Sequence, residues 1–206
     1  MERALHVGVA IHNAGHYHAA HDAWEEPWLE LPEGDDERLL HGLIQYTAAI
    51  HHARNRNWAG ATGLAGSARE YLDGLPTDYR GLDLGPVREA LSALESDPEW
   101  IERTSPPPLV HRGEAPSLPG LRVEECLDAA PLVAAAEGYG VEPVERGCEY
   151  AREAIAADES NAFLALCTDF VRDPARRGLV YGRLAEHVDR RRVRERDVEG
   201  LFDPGN

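Results

Sequence analysis

Apolar residues along this chain recur at steps of three and four, and alternating Val-Ile-Thr runs are nearly absent. That period is the mark of amphipathic helices rather than strands, so the pattern predicts an all-α protein. In the first half it predicts helices over 2–13, 16–30, 35–54, 57–73 and 86–96, followed by a short turn through Trp100. Asn13-Ala14-Gly15 and Gly74 supply left-handed stops. Asp35 or Asp36 and Asn57 are the expected caps, and Pro86 suits a first helical turn. Pro27 falls inside the second segment and is expected to kink or shorten it. The second half reads as helices near 122–138, 143–158, 160–172 and 174–192, with a short tail helix near 195–202.

One stretch breaks the pattern. Residues 104–121 contain five prolines in eighteen positions, which cannot hold a helix and favour extended chain. This segment reads as a Pro-rich linker between a helical domain at 1–103 and a smaller one at 122–206. Short loops in the first domain imply antiparallel helical hairpins forming a bundle.

Composition sharpens this picture. The 206 residues carry 37 acids against 21 bases, a formal charge of −16, and every base is Arg. Such a surface does not suit a protein that binds nucleic acid or anionic lipid over its whole face. An acidic coat with Arg in place of Lys suits very high salt, where acid–acid repulsion is screened. A GC-rich genome accounts for the missing Lys but not for the excess acid. No stretch has the roughly 18 consecutive apolar residues of a membrane span, and the first residues carry no signal-peptide pattern. Cys126, Cys148 and Cys167 form no CxxC pair, so buried, reduced thiols of a cytoplasmic protein are expected.

Candidate chemistry concentrates in His16–Trp28. On a helix, His21 and Glu25 share a face, and Trp28 lies one turn further along it. An imidazole and a carboxylate at that spacing can hold a divalent ion, or can hydrogen-bond each other as a buried pair. Trp24 and Trp28 would wall the spot. The third helix offers His41, Gln45, Ala48 and His52 on one stripe, and Gln45, Ala49 and His52 are the expected neighbours of His21 and Glu25. Eight of the ten histidines precede residue 53. His6, His12, His16, His18 and His51 are expected at or near the surface, and Trp58 and Trp100 in packing roles. No GxSxG, HExxH or phosphate-binding glycine loop is present. The Arg-rich run from Arg176 to Arg196, interleaved with acids, reads as a solvated, salt-bridged helix face, with an acidic partner as the alternative.

The run Asn13-x-Gly15-x-Tyr17-His18-x-x-His21-x-x-x-Glu25-x-x-Trp28 is followed by Gly42-Leu43-Ile44-Gln45, Ala48-Ala49, His52 and Asn57-x-x-Gly60-Ala61. Over about residues 8–75 these blocks closely resemble the family known as domain of unknown function 309. Its members are described as predicted metal-dependent hydrolases on an HxxxExxW motif. The resemblance implies a helical N-terminal domain with His21 and Glu25 as metal ligands and Trp28 as the third motif residue. Gln45 and His52 match the second block. A hydrolase of this kind would use a divalent metal such as Zn, Mn or Fe on a small-molecule substrate. His21, Glu25 and His52 would be the ligands and Glu25 the catalytic base. Gln45, Trp24, Trp28 and Tyr17 would shape the pocket, and a homo-oligomer is compatible with a ligand from a second protomer. The alternative is a non-catalytic interaction module whose His–Glu–Gln cluster is a buried structural network.

Overall fold

The computed structural model describes the backbone of residues 1–202 and the side chains of residues 1–197. The chain divides into two compact units, Met1–Leu121 and Arg122–Asn206. Both are helical, so the protein is all-α, as the hydrophobic period predicts.

The first unit begins with α1 (Glu2–Asn13), α2 (Tyr17–Leu29), α3 (Asp35–Arg54) and α4 (Trp58–Leu72). Gly15 takes φ +87° directly after α1, and its N–H donates to the His12 carbonyl, making the expected stop. Asn57 caps α4 by accepting from the Gly60 N–H at 3.1 Å. The expected cap at Asp35 or Asp36 is not made: Gly34 precedes α3, and no side chain caps it. Asp36 is drawn instead to Arg80 Nε at 2.7 Å and Tyr79 Oη at 2.8 Å. Pro27 does not end α2, which runs on to Leu29. Proline near a helix end removes a single backbone bond, and the last turn still packs.

α3 packs against α2 on one side and α4 on the other, while α1 packs on α2. Small residues set these approaches. A Cβ on Gly8 would sit 2.1 Å from Trp24 Nε1, so Gly8 is what lets the fully buried indole lie flat on α1. The Trp24 N–H donates to the Leu5 carbonyl at 3.4 Å. Leu39, Leu40, Leu43, Tyr46 and Ile50 form the α3 face of the core.

Two elements escaped the hydrophobic pattern. β1 (Asp78–Tyr79) and β2 (Leu82–Asp83) make an antiparallel hairpin around Arg80-Gly81, both at positive φ. α5 (Gly85–Ser96) follows, and the turn through Trp100 forms a short helix, α6 (Trp100–Arg103).

The Pro-rich stretch 104–121 is not a free linker but lies within the first unit. Asn13 donates to the Leu109 and Pro116 carbonyls, both at 3.0 Å, and accepts from the Leu109 N–H at 2.8 Å. Leu109, Leu118 and Leu121 are buried. Proline excludes helix, but it does not stop extended chain from docking apolar side chains between its kinks.

The second unit consists of α7 (Val123–Ala136), α8 (Val141–Ala156), α9 (Ala162–Arg172) and α10 (Arg177–Phe202). The separate tail helix is absorbed into α10, because no Gly or Pro interrupts residues 183–199. Cys126, Cys148 and Cys167 are buried free thiols in its core. Arg177 is buried, its guanidinium held by Glu137 at 2.8 Å and the Phe170 carbonyl at 2.9 Å. The Arg-rich face is salt-bridged, with Arg191 reaching Glu195 at 2.9 Å and Arg192 paired with Glu142. Among the described residues, no helix is long and apolar enough to cross a membrane.

Candidate functional site

α2 and α3 run antiparallel, with the start of α2 beside the end of α3. The His18 and His51 ring centroids lie 5.9 Å apart at one end, and Trp28 and His41 lie 4.5 Å apart at the other. Ten residues of helix separate these two contacts on each strand of the pair, or about 15 Å. On the α2–α3 strip marked by these contacts, His21, Trp28, His41, Gln45 and Ala48 are half-buried, as is His52 next to His51.

The helical spacing is as expected, but the partners differ. Glu25 is exposed, and no hydrogen bond or ion pair involving it occurs among the described residues. The His21 ring nitrogen Nδ1 lies 3.2 Å from Asp22 Oδ1. A buried His21–Glu25 pair is therefore absent. His52 is also engaged elsewhere: its Nδ1 lies 2.7 Å from the Asn57 amide nitrogen, where it supports the turn into α4. Ala49 faces the core, not His21. His21, Glu25 and His52 are thus not brought together as a ligand set. Trp24 is sealed inside against Gly8 and walls no open site. Tyr17 is half-buried beneath the Arg54 guanidinium, 4.5 Å from its ring, and burial raises its phenol pKa.

Two clusters stand where the sequence reading put one. At the start of α2, ligand atoms of His18, His21 and Asp22 all lie within 4.8 Å of one another. His51 adds a third imidazole across the helix pair, and its pKa is lowered by burial first and then by His18 and His52. At the other end is a hydrogen-bonded network. The Trp28 N–H donates to Glu37 Oε1 at 2.7 Å, and His41 Nδ1 lies 3.2 Å from the same oxygen. The carboxylate fixes the Nδ1–H tautomer, so His41 Nε2 accepts from the Gln45 amide at 3.0 Å. Tyr71 stacks on the imidazole at 3.8 Å. A His–Glu–Gln network with a Trp N–H does exist, but it is built on His41 and Glu37 rather than on His21 and Glu25. An i,i+4 Glu–His pair on α3 beside the motif Trp was the signal for it.

Behind the strip lies a third polar group that sequence reasoning placed at the surface. His12 is buried, with both ring nitrogens unpartnered. It packs edge-on to Tyr17 at 4.9 Å and stacks on Tyr46 at 5.5 Å. Burial holds its pKa down to about 4, with the Arg54 charge adding to the effect and the Pro107 carbonyl opposing it. Asn13 breaks the apolar run after it, which hid that His12 continues the core face of α1.

Residues 5–64 match the model of a family described as a domain of unknown function. An uncharacterised Bacillus subtilis protein, YpuF, is 30% identical over 95 residues, covering 45% of this chain and 55% of that protein. An uncharacterised Aquifex aeolicus protein is 26% identical over 82 residues, covering 40% of this chain and 25% of its own length. The matched part of this chain thus spans about half of one relative and a quarter of the other. Both clusters on α2 and α3 fall inside the matched region, so residues 5–64 of this chain are similar to the DUF309 family.

Proposed function

We propose that the first unit is a metal-dependent hydrolase module working on a small-molecule substrate along the α2–α3 strip. The observation that carries this reading is the convergence of two separate sequence blocks. Trp28 of α2 packs on His41 of α3, which Gln45 bonds, and His18 of α2 lies beside His51 of α3. Glu25 stands exposed one turn beyond His21, free to take a proton from a water molecule or a substrate. A divalent ion of the Zn, Mn or Fe type would supply an activated water at neutral pH. Gln45 offers a buried carbonyl oxygen without a partner, an acceptor for a substrate N–H or O–H. The acidic, Lys-free surface supports operation at high salt.

A second reading has its own support. The Trp28–Glu37–His41–Gln45 network ties α2 to α3 and, through Tyr71, to α4, as the clasp of a non-catalytic interaction module would. The test is turnover by untagged full-length protein on a panel of esters, phosphoesters and amides, with each of the three metals. Hydrolysis lost in Glu25→Gln while the melting temperature is kept supports the enzyme. Absence of turnover with every metal, together with collapse of α2–α3 packing in Glu37→Gln, supports the module.

A further inference from the structure

The metal ligands expected from the HxxxExxW motif do not converge, but a neighbouring set does. His21 Nδ1 and Asp22 Oδ1 are 3.2 Å apart, and His18 Nδ1 and Asp22 Oδ1 are 4.0 Å apart. Ligands bonded at about 2.0–2.2 Å around a tetrahedral ion stand roughly 3.3–3.6 Å from one another. The first pair already has that spacing, and the second reaches it with a small rotation of an exposed ring. His18–His21 and His18–His51 ring centroids are each 5.9 Å apart. Two imidazoles sharing one ion place their ring centres about 5–6 Å apart, the spacing His51 has to His18; its Nε2 lies 3.1 Å from the Asn55 amide nitrogen, which leaves Nδ1 to turn toward an ion. His51 is the residue that α3 contributes, from its last turn.

We propose that His18, His21, Asp22 and His51 form a surface site for a divalent cation of the zinc class, one turn ahead of the motif Glu25. Three imidazoles and one carboxylate select Zn(II), Co(II) or Fe(II) over Mg(II) and Ca(II), which demand oxygen ligands. His18 is 77% exposed and His21 23%, so the site is open to an ion from solvent. The ion would tie the first turn of α2 to the last turn of α3, so occupancy would stabilise the unit. Glu25 stays outside the ligand set. The site deepens the hydrolytic reading and rests on it only for the use made of the ion.

The test is Co(II) and Zn(II) titration of untagged full-length protein stripped with a chelator, followed by calorimetry, the visible Co(II) spectrum and thermal melting. One ion per chain is expected, with a rise in melting temperature. His18→Ala, His21→Ala, Asp22→Asn and His51→Ala should each weaken binding tenfold or more and abolish that rise, while Glu25→Gln and His52→Ala change neither. Mg(II) should not compete. Absence of binding overturns the site. So does binding that survives the four substitutions, or binding lost equally in Glu25→Gln and His52→Ala. Stoichiometric binding without turnover on the substrate panel leaves the site standing and defeats the hydrolase reading instead.

Discussion

Acid should unfold the first unit through His12. Burial holds the His12 pKa down to about 4, against 6.5 when free, although the Pro107 carbonyl opposes the shift. The folded state therefore keeps His12 neutral, while the unfolded chain takes up a proton once the pH drops below 6.5. The unfolded state binds more protons in this window, so stability falls as pH falls and levels off, for this group, near pH 4. Between about pH 7 and pH 5 the linkage amounts to a loss of about 2 kcal/mol, rising to about 3 kcal/mol at the acid limit. Trp24, Trp28, Trp58 and Trp100 all lie in the first unit, so tryptophan fluorescence in a urea titration reports on it alone. His12→Phe keeps the ring contacts with Tyr17 and Tyr46 and removes the titration. Wild type should lose about 2 kcal/mol more than His12→Phe between the two pH values. Equal losses in the two proteins would mean that the imidazole is hydrated or paired in solution, and the reasoning would fail.

Other expectations follow from the same contacts. Gly8→Ala drives a methyl group into the Trp24 indole, and despite the better helix propensity it should cost about 1–3 kcal/mol in the urea titration; an unchanged midpoint would show that α1 and α2 have room to part. Glu37→Gln leaves the His41 and Trp28 N–H groups with a weaker acceptor and should cost about 1–3 kcal/mol, read as a drop in melting temperature. With a charge of −16, the protein should melt several degrees higher at about 1 M KCl than at about 0.1 M, as the Debye length shrinks from about 10 to 3 Å. A flat or falling melting temperature would assign the absence of Lys to codon usage rather than to salt.

The sequence was most informative where one period ruled. α1 and α3 begin and end where their apolar stripes and glycines place them, since a helix face is written in local spacing. It was least informative where partners come from afar. Whether residue 37 or residue 25 meets the strip depends on the rotation of two helices about each other. No motif encodes that rotation; the close approaches Gly8–Trp24 and Gly42–Leu72 seat α2 against α1 and α3 against α4. The hairpin at 78–83 was hidden because two-residue strands carry too few positions to show alternation. The docking of 104–121 was hidden because Asn13, ninety-six residues from Leu109, holds it.

The ion proposed for this unit is held by His18, His21, Asp22 and His51, with Glu25 outside the ligand set. Anomalous diffraction at the zinc edge, from crystals of untagged protein grown with stoichiometric zinc, tests it most directly. One strong peak is expected, bonded to those imidazoles and the Asp22 carboxylate at about 2.0–2.2 Å. A peak coordinated by Glu25 and His52, or none on α2, would contradict it.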